Sequence, residues 1–368
     1  MQINKNKKIM NKTEIKLVNG DKAILVEDTK VKILKSPSYN YLFDKSNGFF
    51  CRWGKTQEDD GDPSLGIPEI ADIEIAEICE GVPGIGPCAF CYKSNTGNRG
   101  ENMSLDTFKN IFHKLPSSVT QIAFGCGTLR KHPEMWDIFR YSKDNGVTPN
   151  LTINGDVDDH EFDKIAELCG ACAVSIYDKN LSYDAIKKLT DRGMKQVNIH
   201  FLISNETYDK AFEIMNDMKT DPRLSKMKAL VLLSLKTKGR SVGKYRQLTQ
   251  EQFTTLTNYA LENNVAVGFD SCSAQKFMKA VKGHSNEKQF DQSAEPCEST
   301  LYSLYIDVRG DFFPCSFSPD TEGWEKGLSV LECNDFLEDI WQHEKTKKFR
   351  EKVISCRNCK QSCSIYEI

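Results

Sequence analysis

The sequence predicts an α/β fold built around a parallel sheet, and three observations carry that prediction. From about residue 72, short apolar runs rich in β-branched residues alternate with segments of helical period, the rhythm of repeated strand–helix units. The runs begin two to four dozen residues apart, room enough for a crossover helix between parallel neighbours. No Gly-rich phosphate loop follows the first run, which weakens a dinucleotide-binding, doubly wound sheet and leaves a barrel as the other arrangement.

Residues 1–70 stand apart from this rhythm. AILVEDTKVKIL and NYLFDKSNGFFCRWGK are rich in β-formers, and Asn47-Gly48 is a tight-hairpin signal. A small β-rich element is expected there, ending in a polar, acidic linker at 56–69. The core, 71–290, holds the strand-like runs 72–78, 119–125, 147–153, 171–177, 196–203, 229–235 and 265–269. Helices are expected from Ser104, where Phe108, Ile111 and Phe112 share a face, and over 133–145, 158–169, 182–192, 206–219 and 250–263. Residues 291–368 are cysteine-rich with one long helical stretch near 335–353, and read as a small metal-organised domain.

The chain has 368 residues, a formal net charge of −3 and 39% hydrophobic residues. That balance is ordinary for a globular protein and carries no strong nucleic-acid signal. The basic N-terminus lacks the apolar stretch of a secretory signal. The longest apolar stretches are strand-length, far short of the ~20 residues of a membrane span. A cytoplasmic location without membrane partners is therefore expected. Thiols stay reduced there, so the fourteen cysteines point to metal ligation, catalysis or burial rather than to disulfides.

Three of them, Cys79, Cys88 and Cys91, follow the first core strand in a loop with three glycines and two prolines between Cys79 and Cys88. Such a loop can wrap closely around a compact object and offer backbone N–H groups to it. Three thiolates are one short of the four that hold a [4Fe–4S] cluster, which leaves one iron open to a ligand. Loops at the carboxyl ends of parallel strands are where α/β folds place active sites. A zinc half-site and a redox dithiol are the competing readings of the CxxC pair.

Cys79-x8-Cys88-x2-Cys91, with Phe90 before the last cysteine and Tyr92 after it, resembles the signature of the radical S-adenosylmethionine (SAM) superfamily. The usual first spacing in that family is three residues and here it is eight. Gly125-Cys126-Gly127-Thr128 lies where family members carry a Gly-Gly-Glu-Pro-like segment that meets the methionine amino group, although the Glu is absent. Ser175, in Val174-Ser175-Ile176-Tyr177, looks like the ribose-contacting position, with Asn198 and His200 on the next strand as further candidates. The resemblance implies a partial (β/α)6 barrel. It also implies that the cluster passes one electron into SAM, breaking the C–S bond to give methionine and a 5′-deoxyadenosyl radical that abstracts hydrogen from a substrate. The electron comes from a donor such as flavodoxin or ferredoxin.

A second cysteine group follows: Cys297, Cys315, Cys356, Cys359 and Cys363, with VRGDFFPC forming a hairpin turned at Gly310-Asp311. Gly310 five residues before Cys315 resembles the SPASM or shorter twitch extension of radical SAM enzymes. That likeness implies one auxiliary [4Fe–4S] cluster held by four of these five, with a structural zinc site as the alternative. Cys272 and Asp270 follow the last core strand, where Cys272 is either an auxiliary ligand, a hydrogen-atom donor or a packing thiol. Cys169 and Cys172 suit packing at a helix–strand junction. Lys236, Lys238 and Arg240 follow the sixth strand as an anion-docking or solvated basic loop. Relatives with such extensions often modify peptides or proteins, so a peptide or protein substrate is expected, with the N-terminal element helping to hold it. Modification of a small metabolite or an RNA nucleoside is the alternative, and a non-catalytic zinc or iron–sulfur module the reading from another class.

Overall fold

The computed structural model describes residues 11–17, 20–56, 67–295, 297–358 and 363–366. Its first element is an antiparallel meander of β1 (Asn11–Lys16), β2 (Lys22–Glu27), β3 (Val31–Lys35), β4 (Asn40–Asp44) and β5 (Phe49–Trp53), paired in chain order. The Asn47-Gly48 hairpin joins β4 to β5 as its residues predict. The linker expected at 56–69 falls mostly outside the described residues.

The core follows as alternating strands and helices: β6 (Ile70–Glu74), α1 (Leu105–Lys114), β7 (Gln121–Gly125), α2 (Met135–Asp144), β8 (Thr148–Ile153), α3 (Asp159–Leu168), β9 (Ala171–Ser175), α4 (Lys179–Asp191), β10 (Val197–Ile203), α5 (Tyr208–Thr220), β11 (Ala229–Ser234), α6 (Gln250–Glu262) and β12 (Val267–Phe269). Six strand–helix units and a closing strand thus form a partial barrel whose core strands are all parallel and adjacent in sequence order. Helix starts are written in side chains. Ser104 accepts from the Thr107 amide, and Asp158 with Glu161 and Thr249 with Gln252 form capping boxes.

Burial alternates along the strands. Val197, Ile199, Phe201 and Ile203 of β10 are buried under the helices, while Asn198, His200 and Leu202 face inward. The outer layer is apolar: Phe108 and Ile111 of α1, Ile138 and Phe139 of α2, Ile186 and Leu189 of α4, and Phe253 and Leu256 of α6 close over the sheet.

After the core come α7 (Ala274–Ala280) and α8 (Glu287–Ser293), then β13 (Ser303–Ile306), β14 (Asp311–Phe313) and β15 (Leu328–Ser329), and last α9 (Glu344–Asn358). Strand β13 pairs parallel with β6, so the C-terminal region extends the barrel's own sheet. The hairpin turned before Asp311 is β13–β14.

Two expected elements differ. The first core strand ends at Glu74 rather than 78, because after the last ladder bond, Ile75 N–H to Gly125 O, the amides turn elsewhere: Glu77 donates to Glu101 O and Cys79 to Thr96 O. The helix expected at 335–353 is split into a π-helical turn at Phe336–Trp341 and α9. The buried Arg350 guanidinium and the Thr346 hydroxyl take the Trp341 and Ile340 carbonyls, which diverts those acceptors from continuing the helix.

The N-terminal meander docks on the amino ends of the core strands. The buried Lys32 amine donates to Ser117 O and Val119 O, and the Tyr41 hydroxyl to Ser118 O. Arg52 pairs with the fully buried Glu69 at 2.6 Å and lies over the Tyr302 ring. Because the cysteine loop leaves the opposite, carboxyl end of β6, the meander closes the far end of the barrel. It does not stand at the mouth where a substrate-holding element was expected.

Candidate active site

The loop after β6 solves a spacing problem. Eight residues separate Cys79 from Cys88, and they are taken up by a self-closed turn: Val82 N–H donates to Gly86 O at 3.1 Å and Gly86 N–H to Val82 O at 2.7 Å. Gly81 has φ +80°, and a Cβ there would meet Gly86 O at 2.0 Å, so only glycine permits the pinch. Asn154 holds the Gly81 carbonyl at 2.8 Å. The chain therefore leaves and returns within a short distance, and Cys79, Cys88 and Cys91 lie close enough to feel one another's charge. All three are half-buried, and Cys91 N–H closes a tight turn on Cys88 O at 3.2 Å.

Gly125–Thr128 acts on this loop through its backbone. Gly125 O accepts from Ile75 N–H, Thr128 N–H donates to Ile78 O at 2.9 Å, and Glu80 N–H donates to Thr128 Oγ1 at 2.8 Å. Gly127 lets the two segments touch. The segment thus fixes the strand exit that carries Cys79. Burial pushes the Cys126 thiol well up, and its side chain packs against the core.

Above the loop the Tyr177 hydroxyl faces Cys88 and Ser175. The Phe90 ring stacks on Tyr177 with centroids 5.7 Å apart and meets Tyr245 edge-on. Ser175 is directly opposite His200 across the β9–β10 pair, and Asn198 is opposite Ala173 one step deeper. Phe90, Ser175, Tyr177 and Cys88 are therefore brought together at the carboxyl end, with His200 beside them. Burial pushes the His200 imidazole down to about 4, against the pull of Asp270, so it is neutral at pH 7. Burial also raises the Cys79 and Cys88 thiols; a bound metal would remove their protons.

The basic residues after β11 are neither anion-docking nor solvated. Arg240 Nε donates to Cys88 O and Nη1 to Asn95 O, both at 2.9 Å, and its backbone N–H to Cys91 O at 3.0 Å. Lys238 donates to Phe317 O and Pro319 O. Lys236 is buried and paired with Asp270. Their donors are committed to carbonyls and one carboxylate, so the loop staples the cysteine loop to the C-terminal region. From sequence, Arg240 is legible only as one of three basic residues after the sixth strand and Tyr177 only as a neighbour of Ser175; the partner of each across the fold is not written in either segment.

Between that loop and the C-terminal region lies a cleft of about 760 Å³, lined by Tyr92, Lys93, Asn95, Lys238, Asp307 and Asp320 among others. Lys93 sits against Glu74 at 3.0 Å and against the Tyr305 hydroxyl. A separate cleft near Glu27, Lys45 and Cys169 is at the meander end of the barrel, away from the cysteine loop.

Of the second cysteine group, Cys315 and Cys363 lie near one another, Cys297 lies near Cys272, and Cys356 is on α9; Cys359 lies outside the described residues. Cys363 is lowered to about 6 by the Cys272 thiol and by the Tyr366 and Ile365 amides. Cys169, Cys172 and Cys333 are buried. Among the described residues no three Cys, His, Asp or Glu side chains converge as one ion's ligands would; the thiolates of a four-iron cluster each bind a different iron and need no common point.

Residues 297–363 match the SPASM family, described as an iron–sulfur cluster-binding domain. The fold is similar to that of Streptococcus suis SuiB bound to its precursor peptide SuiA: TM-score 0.62 and 13% identity, over 84% of this chain and 87% of that one. SuiB bound to S-adenosylmethionine matches with TM-score 0.58 and 15% identity, over 82% and 71% of the two chains. The chain shares the fold of SuiB, and its residues 297–363 form a SPASM-type C-terminal region. No curated protein sequence matches it. Among the described residues no helix is long and apolar enough to cross a membrane.

Proposed function

We propose that the chain is a radical SAM enzyme acting on a peptide or protein. The carrying observation is the convergence of Cys79, Cys88 and Cys91 under Tyr177 and Ser175 at the carboxyl end of a partial barrel. The residues fit a four-iron cluster: three thiols, Gly-rich backbone approach, and a hydroxyl aimed at one sulfur. Cys79, Cys88 and Cys91 would hold it, and when bound it supplies the electron that splits SAM into methionine and a 5′-deoxyadenosyl radical. Thr128 and Gly127 hold the strand exit, Arg240 holds the loop, and Tyr177 faces Cys88 while its ring backs Phe90. Ser175 and His200 are the polar groups in position for the nucleoside, and neutral His200 can accept or donate one hydrogen bond.

A peptide substrate is favoured by the SuiB–SuiA likeness and by the cleft beside Lys93 and Asp307, which is long and polar rather than a closed metabolite pocket. Residues 297–363 would supply cysteine ligands to an auxiliary [4Fe–4S] cluster. Anaerobic reconstitution should yield roughly eight irons per chain if both clusters form. With dithionite and SAM the enzyme should release 5′-deoxyadenosine, and Cys88→Ala should abolish that release. Undiminished release from Cys88→Ala, or zinc without iron, would overturn the assignment.

A further inference from the structure

The thiols of the C-terminal region meet one that comes from outside it. Cys272 lies in the turn Ser271–Ser273 that follows β12, at the barrel's carboxyl end and outside the SPASM-matched residues 297–363. The turn meets the C-terminal tail through Lys236, which pairs with Asp270 and lies 5.1 Å over the ring of Phe317, whose carbonyl accepts from the Tyr366 hydroxyl at 3.1 Å. Cys272 lies within electrostatic reach of Cys363 and Cys297, and Cys315 within reach of Cys363. Four thiols from four segments of the chain therefore share one place: a barrel turn, the approach to β13, the end of β14 and the C-terminal tail.

The surroundings suit thiolates. The Ile365 and Tyr366 amides each stand 3.4 Å from Cys363 Sγ. Ser318 closes a turn on Cys315: its amide donates to Cys315 O at 3.1 Å, and the Cys315 amide donates to its hydroxyl at 3.3 Å. Lys236, buried and paired with Asp270, faces both Cys272 and Cys363. A packing thiol needs none of these donors, whereas a cluster sulfur is stabilised by them.

We propose that Cys272 joins Cys297, Cys315 and Cys363 as the fourth ligand of the auxiliary cluster, so that barrel and C-terminal region hold it between them. The proposal rests on the reading that the SPASM-type region binds a cluster. Each thiol would lose its proton on ligation. Four protein ligands leave no iron open. The cluster then carries electrons instead of binding substrate, which assigns substrate to the cleft beside Lys93.

The test uses the full chain with Cys79, Cys88 and Cys91 all changed to Ala, which removes the first cluster. This parent should retain roughly four irons per chain and a reduced-state EPR signal; a parent without iron overturns both readings. In that background Cys272→Ser should lower bound iron at least twofold and change the EPR signal, as Cys297→Ser should. Cys272→Asp, which restores an anionic ligand, should regain iron with a shifted spectrum, whereas a buried packing site would tolerate Asp less well than Ser. Full iron and an unchanged spectrum in Cys272→Ser, or less iron in Cys272→Asp than in Cys272→Ser, overturns the assignment of Cys272 and leaves the cluster reading standing.

Discussion

Gly127 stands against Ile78 so closely that a Cβ on the glycine would lie 2.0 Å from the Ile78 carbonyl oxygen and 3.1 Å from the Cβ of Cys79. The contact ties the segment after β7 to the residue before the first cysteine. Gly127→Ala must push that strand exit away, and backbone gives less than side chain. Reconstituted Gly127→Ala should lose at least half the iron of the first site, measured in a Cys297→Ser, Cys315→Ser background.

Arg240 answers the carbonyls of Cys88 and Asn95 with one guanidinium. Removing it leaves two partly buried acceptors without that donor, at about 1–3 kcal/mol each. Arg240→Ala should raise amide hydrogen exchange across residues 88–95 by about tenfold or more, since tenfold corresponds to roughly 1.4 kcal/mol. Lysine, with one point of contact, should restore only part of the protection.

Tyr177→Phe keeps the ring that stacks on Phe90 and deletes the hydroxyl that faces Cys88, where it would donate to a ligating sulfur. A donor to a ligating sulfur stabilises the reduced, more negative cluster. The variant should therefore bind iron as the parent does but show a more negative midpoint potential in a redox titration, with slower SAM cleavage at fixed dithionite.

Asp72 faces inward from β6, and burial, with Glu298 adding to it, raises its carboxyl to about 7. Between the ordinary carboxylate value, about 3.9, and 7 the folded chain keeps a proton that the unfolded chain has lost. Its contribution to stability is therefore present at acid pH and lost as pH rises through 7. Asp72→Asn should leave the denaturation midpoint nearly unchanged at pH 4 and raise it at pH 8. The gain should reach up to about 2 kcal/mol, allowing for residual hydration inside the barrel.

The order of strands and helices was legible because each core segment satisfies its own local rules. Ser104, Asp158 and Thr249 cap helices where their side chains say they should. The apolar runs of β7 to β11 match their burial. The three loop cysteines were visible through their spacing and their Gly-Pro setting. Where β6 ends was not, because the amides of Glu77 and Cys79 are claimed by carbonyls at Glu101 and Thr96, partners at a distance in sequence that no periodicity records.

Sequence by itself determined the fold class, the cysteine loop and the cysteine-rich C-terminal region, since periodicity, caps and motif spacing are properties of neighbouring residues. Tertiary structure alone decided what the neighbours across the fold do. It turned Lys236, Lys238 and Arg240 from a basic loop into staples. It put the N-terminal meander at the closed end of the barrel through Lys32 and Arg52. It brought Cys272 to Cys363. A charge or thiol has no partner written beside it in the chain; packing of the apolar layers sets which distant group it meets, and that meeting decides its role.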